Sequence, residues 1–199
     1  GRVGSTPTPG TNVTMETFKL LAEPWWVNLL IAVPFVAYFV WRKDGLALSW
    51  RKLFFLACFG VGFGFVEASV VVYLRAAVGL LPGYGGTLSD VAQFSSGVYQ
   101  QAKILGELPQ SLLTVELFRE AATMLMLLAI AFLVTPRSKE HWAAFLWMFA
   151  VWDIVYYIGL WATVSWPSSL ATPDVLFLIP VPWFSQVWFP LLISALTLA

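Results

Sequence analysis

Residues 112–134 read LLTVELFREAATMLMLLAIAFLV. The stretch has the length of a membrane-crossing helix, roughly 17–25 residues. Yet it carries Glu116, Arg119 and Glu120. Their i, i+3, i+4 spacing projects all three from one side of a helix. A charge at the bilayer centre costs about 2.5–3.5 kcal/mol on the insertion scale, so it must be paired, hydrated or put to use. An apolar helix with a charged side is the unit from which the rest of the chain is read.

Four more apolar stretches have spanning length: 24–41, 53–77, 142–164 and 175–199. The whole chain is 59% hydrophobic and only 11% charged. A soluble domain carries about 25% charged residues and could not cover so much apolar surface. The fold class expected is therefore all-α, an integral membrane bundle of five transmembrane helices. Residues 24–199 form this single domain, and residues 1–23 a tail with a short surface helix over 14–22. The formal net charge is zero, which speaks against a nucleic-acid partner. The single cysteine, Cys58, excludes an intrachain disulfide framework.

Basic residues orient the bundle. The first loop carries Arg42, Lys43, Arg51 and Lys52, and the third carries Arg137 and Lys139. Two spans separate these loops, so both lie on one side, which the positive-inside rule makes cytoplasmic. Only Arg2, Lys19 and Lys103 fall on the other side. The N-terminus is expected outside, the C-terminus inside, and the protein in a bacterial inner membrane as a multi-pass chain. Trp25, Trp26, Trp41, Trp50, Trp142, Trp161 and Trp166 sit near span ends, as an aromatic belt requires.

The outer loop 80–111 is too long for a bare connection. Val91, Phe94, Val98, Ala102 and Leu105 share a helical face behind Ser89, a plausible N-cap. This predicts an interfacial helix over 90–104. Gly1 to Gly10 carries no apolar stretch of the kind a signal peptide needs. Residues 1–14 precede the first methionine and read as a processed or appended end; the Pro/Gly/Thr-rich tail is expected to be held by a partner chain. Gly60 and Gly64 have the small-xxx-small spacing of close helix packing. Pro180, Pro182 and Pro190 should kink or break span five near IPVPW.

The charges agree in depth. At about 1.5 Å per residue, Glu67 lies roughly 20 Å from the inner start of span two, and Asp153 roughly 16 Å into span four. Glu116, Arg119 and Glu120 lie roughly 6–12 Å below the outer edge. Arg75 sits near the outer end of span two, and Asp174 at the outer rim. Tyr156 and Tyr157 share a face with Asp153, and their hydroxyls can donate to a carboxylate there. One cluster is expected, of Glu67, Arg75, Glu116, Arg119, Glu120, Asp153, Tyr156 and Tyr157. It holds four acids against two bases, so the surplus must be protonated, hydrated from outside or bound to a cation.

Other chemistries find no residues. No Glu-x-x-His follows Glu116 or Glu120, so a di-iron helix pattern is missing. The only histidine, His141, reads as an interfacial residue at the inner end of span four. No lysine lies within a span to form a Schiff base. No catalytic residue can be assigned, and no metal or cofactor is expected. The aromatic residues could hold a lipid tail, quinone or carotenoid, although the aromatic belts account for most of them.

Several stretches carry a resemblance: FVEASVVVYLRA (65–76), VELFREAATMLMLLA (115–129), FAVWDIVYY (149–157), WPSSL (166–170) and DVLFLIPVPW (174–183). Together they resemble a family of small uncharacterised bacterial polytopic membrane proteins, over about 53–199. The resemblance implies a membrane topology and no activity. Three roles stay open. The first is a non-catalytic accessory or scaffold subunit, bound to partner chains and with the charge network fixing helix packing. The second is a small proton- or cation-coupled transporter using the carboxylates. The third is an enzyme acting on a lipid-soluble substrate at the outer face.

Overall fold

The computed structural model describes residues 21–77 and 110–199, with side chains over 21–74 and 111–199. The tail before residue 21, the interfacial helix expected over 90–104 and the side chain of Arg75 lie outside the described residues.

The chain is mostly helical. A 3-10 segment, Trp25–Ile31, continues directly into α1, Ala32–Trp41. Asn28 locks the turn before it: the amide of Ala22 donates to its Oδ1 at 2.9 Å, and its Nδ2 donates to the carbonyls of Ala22 and Trp25, both at 2.8 Å. Three long helices follow: α2, Trp50–Ala77; α3, Gln110–Val134; and α4, Ser138–Val164. Each of the three is long and apolar enough to cross a membrane. The stretch Trp25–Trp41 is a shorter apolar helix.

The helix expected over 175–199 is not continuous. Two antiparallel strands, β1 (Pro173–Phe177) and β2 (Trp183–Gln186), precede a short α5, Trp188–Leu198. Proline explains the break. Pro180 and Pro182 lack the N–H a helix would need, and the flanking Val175, Phe177, Trp183 and Phe184 favour strands. Pro190 is tolerated because it falls in the first turn of α5, where the N–H has no intrahelical partner anyway. With 11 residues, α5 reaches about 16 Å, half of a bilayer's hydrocarbon. The structure thus contains three helices of spanning length among the described residues where five spans were expected, and a β-hairpin where the sequence predicts only helix.

The hairpin edge is closed by the start of the described chain. Glu23 and Phe184 exchange backbone hydrogen bonds at 2.8 and 2.7 Å. This leaves fewer open strand donors and acceptors in apolar surroundings.

Helix α4 is the hub. It packs most closely on α2 through glycine: a Cβ on Gly64 would meet the Trp152 carbonyl at 2.7 Å, and one on Gly60 the Met148 carbonyl at 3.0 Å. The two glycines are one turn apart, so α2 lays its backbone along α4. Met148, Leu127, Leu56 and Ala144 fill the core between α2, α3 and α4. Val72, Leu160, Val164 and Val187 fill it at the other end. Trp166 belongs to that second core and is 1% exposed, so it is not a belt residue. Trp25, Trp50, Trp142 and Trp161 do face outward.

The basic loops meet at one end. Lys139 Nζ pairs with Asp44 Oδ2 at 3.0 Å, and Lys52 Nζ donates to the Val134 carbonyl at 2.6 Å. His141 is buried at this end, where its Nε2 contacts the Thr135 carbonyl at 2.6 Å and its ring lies against Phe132. It braces the α3–α4 turn.

Candidate functional site

A partly open cavity of about 720 Å³ lies where α1 to α5 and the hairpin converge. Most of its wall is apolar, from residues such as Val71, Met124, Phe149 and Ile193. Glu67, Glu116, Arg119, Glu120, Asp153, Tyr156, Tyr157 and Asp174 all line it. Measured along α2, α3 and α4 from the basic-loop end, the charged residues lie roughly 21–27 Å up. Helical spacing delivers them to one place: Glu116, Arg119 and Glu120 face inward from α3, and Asp153 and Tyr157 from α4.

Arg119 is the centre of one half of the cluster. Its Nε donates to Glu116 Oε2 at 2.8 Å, and its NH1 pairs with Glu67 Oε2. The Thr123 hydroxyl contacts Glu67 Oε1 and the Arg119 carbonyl, each at 3.0 Å. One guanidinium thus serves two carboxylates, using its planar fork of donors.

Glu120 points the other way, to the hairpin. Its oxygens accept the backbone N–H of Leu178 at 3.0 and 2.9 Å and of Ile179 at 3.2 Å. These amides sit just before Pro180 and have no partner across the irregular end of the hairpin. The carboxylate satisfies them and fixes the tip against α3.

The other half of the cluster holds Asp153 and Asp174. The Ser194 hydroxyl of α5 donates to Asp153 Oδ2 at 2.8 Å. The Tyr157 hydroxyl donates to Asp174 Oδ2, also at 2.8 Å, and the Val175 amide donates to Oδ1. Tyr157 shares a helix face with Asp153, but its hydroxyl serves Asp174. Asp174, expected at the rim, is 4% exposed and part of the buried wall. The hairpin carries it inward.

Residues outside the expected cluster complete the site. Thr123 lies four residues after Arg119, and the same spacing rule reaches it. Ser194 and the two backbone amides depend on the hairpin and have no local signal. A set of rings also lines the cavity: Phe149, Trp152, Tyr156, Phe177 and Trp183, with neighbouring centroids 5.1–6.4 Å apart. Among the described residues, no group of three or more His, Cys, Asp or Glu could hold a metal ion.

Comparison of the chain with known protein families, with curated proteins and with solved structures finds no match.

Proposed function

We propose that this chain is a polytopic membrane protein that binds a lipid-soluble amphiphile. The hydrocarbon part would lie on the apolar wall of the cavity and the polar end at the carboxylate cluster. The observation that carries this reading is the cavity itself. A network that only fixed helix packing would be enclosed and fully paired, whereas these charges line about 720 Å³ of space. That volume is within the usual range of small-molecule sites, about 300–1,000 Å³, and such sites pair an apolar lining with a few polar groups.

The meeting of the two basic loops supports placing that end in the cytoplasm of a bacterial cell. The cavity then belongs to the outer half of the membrane. The apolar flanks of α2 and α3 are what a bilayer covers, so they call for no partner chain.

The test is to purify the chain in a mild detergent and identify by mass spectrometry what stays bound. One class of amphiphile should be retained in equimolar amount. It should be lost from Ala121→Phe, because Ala121 lines the cavity on an exposed position and can take a ring into that space. Retention unchanged by that variant would sink the reading. Stoichiometric partner chains with no retained molecule would favour an accessory subunit instead. Gradient-driven proton or cation flux in liposomes, lost in Asp153→Asn, would favour a coupled transporter.

A further inference from the structure

The hydroxyl donors of Thr123, Tyr157 and Ser194 and the Arg119 guanidinium are spent on the carboxylates of the cavity. Thr123 donates to Glu67, Tyr157 to Asp174 and Ser194 to Asp153, and Arg119 serves Glu67 and Glu116. Glu120 holds two backbone amides. What remains on these carboxylates is acceptor valence, since an ionised carboxylate offers about four lone-pair sites.

Asp153 stands apart from the others. It is 8% exposed and lines the cavity, yet it accepts one hydrogen bond, from Ser194 to Oδ2. Among the described residues its Oδ1 has no hydrogen-bond partner and no cation pairs with either oxygen. A buried acidic side chain so poorly matched is costly unless something else neutralises it.

The wall beside it is aromatic. Phe149 and Tyr156 stand four residues before and three after Asp153, so they share its face of α4, while Trp152 and Phe177 line the same cavity in ring contact with them. Ring faces carry negative electrostatic potential and attract cations, most strongly when the cation is out of water. Trp152 adds a separate sign of a missing occupant. It is 8% exposed, lines the cavity, and its Nε1 has no hydrogen-bond partner. A carboxylate beside a set of rings is a recognised way to hold an alkylated ammonium. An oxygen next to that ammonium would give the indole N–H its acceptor.

We propose that the cavity selects an amphiphile whose polar end is an ammonium, held by Asp153 and the rings of Phe149, Trp152, Tyr156 and Phe177. The proposal rests on the cavity being an amphiphile site, and names the chemistry of the head.

The test uses the full chain in lipid nanodiscs and three probes with the same chain: dodecyltrimethylammonium, dodecyl maltoside and dodecyl phosphate. Binding is read from tryptophan fluorescence. The ammonium probe should bind at least about tenfold more tightly than either homologue, the discrimination expected of a desolvated cation–ring contact. Asp153→Asn should abolish that preference while the maltoside still binds. Phe177→Leu, which keeps every charge, should weaken the ammonium probe severalfold more than the maltoside, so the test survives if the Asn variant does not fold. Equal affinity for all three heads would overturn the head-group assignment and leave the amphiphile site standing. A preference that persists in both variants would overturn the residues named. No saturable binding by any probe would remove the amphiphile site as well.

Discussion

Both carboxylate oxygens of Glu120 accept the backbone N–H of Leu178, at 3.0 and 2.9 Å, although the residues are 58 positions apart. This contact fixes the hairpin tip to α3 and sets one wall of the cavity. Glu120→Ala would leave the Leu178 and Ile179 amides without acceptors in apolar surroundings. An unsatisfied buried group costs about 1–3 kcal/mol. Hydrogen exchange should show those two amides losing protection before any helix does. Protection unchanged in the variant would mean that the tip is held by something else.

Arg119 carries two buried acids, so its loss should be worse than the loss of either acid. Breaking a buried pair from one side costs about 3–5 kcal/mol. Arg119→Met should therefore lower the melting temperature strongly. Adding Glu67→Gln and Glu116→Gln should restore most of the loss, because the uncompensated charges are gone. Melting followed by tryptophan fluorescence is suited to a chain with 11 tryptophans. Strict additivity of the three substitutions would contradict the shared pairing.

Gly64 and Gly62 make a matched pair for the α2–α4 contact. A methyl on Gly64 would lie 2.7 Å from a backbone oxygen of α4, which cannot rotate away, while a methyl on Gly62 meets nothing within 4 Å. Gly64→Ala should destabilise by about 1–3 kcal/mol through overpacking. Gly62→Ala should be neutral or stabilising by up to about 1 kcal/mol, from helix propensity. Equal effects on the denaturation midpoint would count against this packing.

The Lys139–Asp44 pair should matter little to stability. Asp44's side chain is 77% exposed, and such pairs contribute about 0–1 kcal/mol. Lys139→Ala should shift the melting temperature only slightly, and less at high salt. A large shift would assign Lys139 a role beyond its pairing with Asp44.

What the sequence made legible was local and periodic. Length and hydropathy located α2, α3 and α4, and the i, i+3, i+4 rule put Glu116, Arg119 and Glu120 on one side. A fixed rise per residue put Glu67 and Asp153 at matching heights. Other features depended on contacts between distant residues. Hydropathy cannot distinguish a membrane helix from an apolar hairpin, so an apolar span over 175–199 takes in most of the hairpin. That hid the inward turn of Asp174, the pairing of Glu120 with backbone amides and the role of Ser194. Trp166 misled for a related reason: its place near a helix end suggested a belt, while residues of α2 and α4 together with Val187 and Leu191 enclose it.

The 58-residue gap between Glu120 and its backbone partners has a consequence for synthesis. Chains grow at about 5–20 residues per second, so those amides emerge roughly 3–12 seconds after the carboxylate does. During that interval α3 carries an acid whose final neighbours have not yet been made. Water has to shelter it, and the last segment of the chain then closes the site.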